Sequence, residues 1–410
     1  MRVLAVLFVV ATFLDWVRLS SFMFADNPAT ILGLALLAGF IGYRYRALTQ
    51  VNRRNAWFVA FIVVTALEEI PRYFILGPTL WTRSFVSYLQ YVQVVVLYVI
   101  FFDLAKDPRV IRSVGKAFVA CAAVMSFGVN LSLPWMAAEQ VGRYGVKSIN
   151  LNFQAFIYAL AIVAVFCWVL ARWPRVRWGE LFAVVAAGSM LVALAKTGSR
   201  GGAAALLLGV GAATVVYLRR RRLSAYILVV PLALAGIGAG LLTSEIMTER
   251  TQATIGEGDT GLRVELTRSG MELFREQPFI GWGSSFSRFL GAHMDLGRAI
   301  GAHNAYLQTL LAFGLIGFIP WVVGLARAFL DAWWERASPW GGMLVALIVT
   351  MLSFCAVSNM AYSKYLWILL AFAGNAGVMS LEPLKAARRR RRSVGRLRQL
   401  DVEGGPVGGT

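Results

Sequence analysis

Residues 181–222 read LFAVVAAGSMLVALAKTGSRGGAAALLLGVGAATVVYLRRRR. Two apolar runs, 181–195 and 201–218, flank the short polar turn Lys196-Thr197-Gly198-Ser199-Arg200, and the second run ends on Arg219 to Arg222. A membrane-crossing helix needs about 20 mostly apolar residues. Each run is close to that length, so the turn must reverse the chain at a membrane surface. Basic residues beside spans are retained in the cytoplasm, so the four arginines mark the inner side. The turn at Lys196–Arg200 is then on the outer side.

The same grammar extends along the chain. Apolar runs lie at about 3–24, 28–43, 56–76, 85–102, 117–137, 151–171, 225–242, 306–330, 341–361 and 366–381. With the first two runs that makes an all-α polytopic integral membrane protein of about 12 transmembrane helices. Basic clusters follow the even-numbered runs: Arg44 to Arg54, Lys106 to Lys116, Arg172 to Arg177 and Arg388 to Arg398. Both ends are therefore expected inside. Of the 410 residues 58% are hydrophobic and 15% charged, against about 45–50% and about 25% in soluble domains. A secreted disulfide scaffold, a disordered regulator and a cytosolic enzyme are excluded. The net charge of +19 reads as topology signalling rather than nucleic-acid binding. Cys121, Cys167 and Cys355 sit in apolar runs without CxxC spacing.

Two domains of behaviour follow: residues 1–381 form the membrane body, and residues 382–410, basic then glycine-rich, form a disordered cytoplasmic tail that touches membrane lipids. One segment, about 243–305, is too long for a simple turn and is placed outside, as an extracytoplasmic loop. Glycines at 256, 258 and 261 break the chain around Asp259. A helix is expected over Leu262 to Glu276, with Leu262, Leu266 and Leu273 on one face, stopped by Pro278, Gly281 and Gly283.

Polar residues on the outer side carry the candidate chemistry. Arg200 is tied between two spans among small residues, where backbone amides at a helix start favour an anion; an interfacial snorkelling arginine is the plainer alternative. Lys196 and Ser199 share that turn. Arg263 and Arg268 lie on the loop helix, Arg268 with glutamate partners nearby. His303, followed by Asn304, falls where the loop re-enters the membrane. Arginine binds oxyanions in a bidentate fork and stays charged. A near-neutral imidazole can take a proton from a hydroxyl. The set suits group transfer from a diphosphate leaving group. His293 lacks such a context and reads as a loop residue. Glu257-Gly258-Asp259 has no histidine partner, so no metal is expected. No cofactor is expected either, and the absence of a Walker loop argues against direct ATP use.

Together these residues resemble the O-antigen ligase and polymerase superfamily. The ordered motifs are Ser199-Arg200-Gly201-Gly202, Gly261-Leu262-Arg263, Gln277-Pro278-Phe279-Ile280-Gly281-Trp282-Gly283, His303-Asn304-Ala305-Tyr306-Leu307-Gln308 and Gly314-Leu315-Ile316-Gly317. Gly211 stands ten residues beyond Arg200 in the family's spacing, and the His303 to Gly317 spacing matches the ligase branch. The resemblance implies a metal-independent glycosyltransferase of the bacterial inner membrane, working at its periplasmic face. Its donor would be a glycan on undecaprenyl diphosphate, and its acceptor lipid A–core or a growing glycan. By position, Arg200 and Arg263 would hold the diphosphate, His303 would accept the acceptor's proton, and Asn304 would orient it. Where family members carry a tryptophan shortly after the loop arginine, Glu265-Leu266 stands here, which leaves Arg268 as the alternative to Arg263.

Glu68 and Glu69, with Arg72 one turn on, read either as an interfacial ion pair before Pro71 or as a proton-coupling pair. A transporter is the rival class. It predicts related half-sequences and mid-membrane binding residues; the halves are unrelated and the conspicuous residues lie at the outer rim.

Overall fold

The computed structural model describes residues 1–17, 28–49, 56–133, 137–140, 143–146, 150–172, 178–218, 261–284 and 286–378, with single positions 238 and 248. The run at 225–242, the break around Asp259 and the tail 382–410 lie otherwise outside these residues. The described elements are α1 (Arg2–Val17), α2 (Pro28–Thr49), α3 (Ala56–Leu104), α4 (Pro108–Asn130), β1 (Ala137–Gln140), β2 (Arg143–Val146), α5 (Leu151–Arg172), α6 (Trp178–Lys196), α7 (Arg200–Leu218), α8 (Gly261–Glu276), α9 (Phe286–His293), α10 (Ala305–Trp334), α11 (Pro339–Cys355) and α12 (Lys364–Ala373).

Four of these, α4, α5, α7 and α10, are long and apolar enough to cross a membrane, and shorter apolar stretches occur in α1, α2, the end of α3, α6, α11 and α12. Outward-facing side chains are apolar: Phe182 is 67% exposed, Val185 57% and Leu208 54%. Water would make such a surface aggregate; hydrocarbon accepts it.

Two runs, 56–76 and 85–102, appear as one helical element, α3, but not as one straight rod. Tyr88 Oη donates to Ile62 O at 2.9 Å, and Phe58 packs edge-on to Tyr98 with centroids 4.8 Å apart. Residues forty apart on a straight helix would be about 60 Å apart. The chain therefore folds back between residues 62 and 88, where Pro71 and Gly77-Pro78 fall, and its two arms pack antiparallel. Phe58, Tyr98 and the fully buried Trp367 of α12 form one aromatic cluster.

Other boundaries move for identifiable reasons. The run placed at 117–137 is α4, which starts at Pro108 because Asp107 caps it, accepting from Arg109 N at 2.9 Å. It ends at Asn130, and residues up to 146 include an antiparallel hairpin, β1–β2, pairing Ala137 with Val146 and Gln140 with Arg143. Apart from this small hairpin the described elements are all helical, as the all-α reading expects. The run at 341–361 is α11, ending at Cys355, and residues 356–363 form a separate connecting segment. The helix expected at 262–276 is present as α8, with Leu266 and Leu273 buried as its inner face.

Candidate active site

A break in α10 organises one end of the bundle. Gly314 has φ 55° and ψ −165°, so the helix loses its regular bonds there. The carbonyls of Leu311 and Ala312 and the amides of Leu315 and Ile316 would normally pair with each other. Instead, the segment after α8 takes all four. Trp282 N donates to Leu311 O at 2.8 Å, and Gly283 N to Ala312 O at 2.9 Å. Pro278 O accepts from Leu315 N at 2.8 Å, and Phe279 O from Ile316 N at 3.1 Å. Leaving such groups buried and unpaired costs about 1–3 kcal/mol each. The exchange needs backbone against backbone. A Cβ on Gly281 (φ +65°) would stand 2.6 Å from Gly314 N, and one on Gly314 would run into the Phe279 carbonyl.

This clasp fixes α8. Trp282 Nε1 donates to Leu273 O at 2.8 Å. Gly270 lies against α10, where a Cβ would stand 2.9 Å from Leu307 Cδ2. The first turn of α8 is thereby held beside the start of α10, and the charge of Arg263 reaches the imidazole of His303.

His303 has φ 49°, a left-handed conformation that costs a non-glycine residue about 1–3 kcal/mol. Such strain persists only where its surroundings impose it. Here the residue precedes the Asn304 cap of α10 and is exposed. Partial burial lowers the imidazole pKa below its ordinary value, and the positive charge of Arg263 lowers it further. The ring is neutral at pH 7, the state in which it can accept a proton.

Arg200 opens α7 at the same end. Gly201 beside it is pressed against Val357, and Gly301, two residues before His303, against the Asn359 carboxamide. Val357 and Asn359 both belong to the segment 356–363. The Arg200 turn and the His303 turn thus flank one short stretch of chain. The small residues after Arg200 serve helix packing first: a Cβ on Gly202 would stand 2.6 Å from Ala155 Cβ of α5. Gly211 faces open space among the described atoms.

The remaining expected residues have contacts of their own. Ser199 is buried and caps α7, its Oγ accepting from Gly202 N at 3.2 Å. Lys196 Nζ reaches Asn130 O, at the end of α4, at 3.4 Å. Arg268 is on the solvent side of α8, its Nε 3.3 Å from Glu272 Oε1. His293 closes α9 rather than lying in a loop, with Nε2 3.3 Å from Glu272 Oε2. Bonding to His293 holds the Glu272 carboxyl below its ordinary pKa, and Arg268 adds to the effect. Asn304 caps α10, its Oδ1 accepting from Tyr306 N at 2.9 Å and Leu307 N at 3.2 Å. Asn304→Ala is expected to cost about 1 kcal/mol of stability and to loosen the His303 turn, measurable as a lower melting temperature; Asn304→Ser should restore most of the loss.

Asn359 gave no signal in the sequence. Its Oδ1 is buried and lacks a hydrogen-bond partner among the described residues, beside Gly301. Its place in the site depends on the fold of α11 and α12 and follows no local motif. Glu68 and Glu69 are both buried; the side chain of Arg72 lies outside the described residues.

No curated protein matches the chain. The family model described as O-antigen ligase matches residues 185–322, the stretch that contains the Arg200 turn, α8, the glycine clasp and His303. Over this stretch the chain is similar to the O-antigen ligase family.

Proposed function

We propose that the protein transfers a glycan from undecaprenyl diphosphate to an acceptor hydroxyl at the periplasmic face of the bacterial inner membrane, ligating O-antigen to lipid A–core. The reading is carried by the clasp that holds α8, with Arg263 in its first turn, against α10, which begins just after the strained His303, with the Arg200 turn flanking the same segment. In the reaction the acceptor oxygen attacks the anomeric carbon, and His303 takes its proton. The bond from that carbon to the diphosphate oxygen breaks, and the electron pair leaves with the diphosphate. Arg200 and Arg263 hold that growing charge. The starts of α7 and α10 add the positive ends of two helix dipoles. Asn304 and Ser199 shape the two helix starts, Lys196 and Arg268 supply positive charge further out, and no metal takes part.

Polymerisation, in which the acceptor is a growing glycan, uses the same chemistry. The His303 to Gly317 spacing favours ligation. Deletion of the gene in its host separates the two. Ligation predicts long chains accumulating on the carrier while lipid A–core stays bare. Lipid A–core carrying a single repeat would identify a polymerase instead.

A further inference from the structure

A cleft opens at the opposite end of the bundle. α7 runs away from Arg200, and near its far end Tyr217 Oη donates to Pro339 O, at the start of α11, at 2.6 Å. Beside this contact the mouth of the cleft is formed by Arg112 and Lys116 of α4, Trp168 of α5 and Trp340 of α11. The Arg112 guanidinium carbon lies 5.9 Å from the Trp340 ring centroid, and Lys116 Nζ 5.8 Å from that of Trp168. Inward, the wall becomes wholly apolar, with Phe118, Leu160, Leu347 and Leu369. The apolar slot holds a cavity of about 110 Å3, and the mouth beside it one of about 370 Å3.

Two cations over aromatic rings at the rim, above a deep apolar slot, match an amphiphile with an anionic head. Indole rings belong at the headgroup level of a membrane. Lys116 and Gly115 are exposed, and nothing stands within 4 Å of a Cβ built at Gly115, so the mouth is open on the α4 side. The basic segment around Arg112 and Lys116 is on the cytoplasmic side by the charge pattern of the loops. We propose that this cleft is a binding site for an anionic glycerophospholipid of the cytoplasmic leaflet. Its phosphate sits between Arg112 and Lys116, and one acyl chain enters the slot between α4, α5, α11 and α12. The inference rests on the membrane reading alone and is independent of the catalytic one.

The test is native mass spectrometry of the full-length protein, re-lipidated with equal amounts of phosphatidylglycerol and phosphatidylcholine carrying the same chains. The wild type should retain one phosphatidylglycerol with a preference on the order of tenfold, as expected for two basic groups near a lipid phosphate. Arg112→Gln/Lys116→Gln should remove the preference. Gly115→Phe, which adds bulk at the open mouth of a helix that tolerates it, should lower retention of both lipids. Excess inorganic phosphate should leave the bound lipid in place. Equal retention of the two lipids by the wild type, or an unchanged preference in the double variant, would overturn the proposal. So would displacement of the lipid by inorganic phosphate alone, which would assign the mouth to a soluble anion.

Discussion

His303→Ala should lower glycan transfer by about 10²–10⁴-fold, the range set by removal of a general base, with the melting temperature nearly preserved. The second part follows from geometry. His303 sits at φ 49°, and its ring is not part of the buried apolar core. The backbone cap of α10 belongs to Asn304, not to His303. Removing the imidazole therefore takes away chemistry without taking away packing. The same account fixes a pH dependence. The base must be neutral, so kcat/KM should fall on the acid side as His303 becomes protonated, at a pH below the ordinary histidine value. Part of that depression comes from the charge of Arg263. Arg263→Gln should slow transfer and also move the acid limb to higher pH. A merely structural arginine would change the rate and leave the limb in place. Transfer by His303→Ala at the wild-type rate would remove the general-base role.

The second large effect is expected at the clasp. Gly314→Val adds a branched side chain at φ +55° and drives it into the Phe279 carbonyl. The strain and the loss of exchanged backbone bonds together should cost about 3 kcal/mol or more. Because α8 carries Arg263 and is held by this contact, transfer should fall by at least about 10²-fold, as when reacting groups are displaced by about 1 Å. Gly188→Ala is the matched control: it lies within α6 with nothing near its Cβ position. That change should be neutral or stabilise by up to about 1 kcal/mol. Thermal unfolding in detergent and a transfer assay on the same preparations check both variants. Wild-type behaviour of Gly314→Val would mean that the clasp does not position the site.

Legibility in the sequence followed the range of the forces. Residues 151–171 and 201–218 read as spans because their apolar runs are continuous and end on basic residues, and α5 and α7 match them closely. α8 was visible in the spacing of Leu266 and Leu273. The doubling back of α3 was visible as two apolar runs around Pro71 and Pro78. The glycines at 281, 283 and 314 were visible only as motif members and helix stops. Their purpose is an exchange of hydrogen bonds between segments thirty residues apart, which no local pattern encodes. β1–β2 and α9 were missed because each is short and its hydrophobic pattern is weak. Asn359 was missed because only tertiary structure brings it to Gly301. Roles for Arg263 and His303 were implied by the family resemblance; the clasp that sets α8 against α10 came from the structure.

The central claim is transfer with loss of the carrier. It is tested most directly by reconstituting the purified protein in vesicles with an undecaprenyl-diphosphate-linked glycan and lipid A–core, then counting new glycosidic bonds against free undecaprenyl diphosphate. The account predicts the two in equal amounts, strongly reduced in Arg200→Lys as well as Arg200→Ala, because a point charge lacks the bidentate fork. Movement of intact donor across the vesicle membrane without new glycosidic bonds would contradict it.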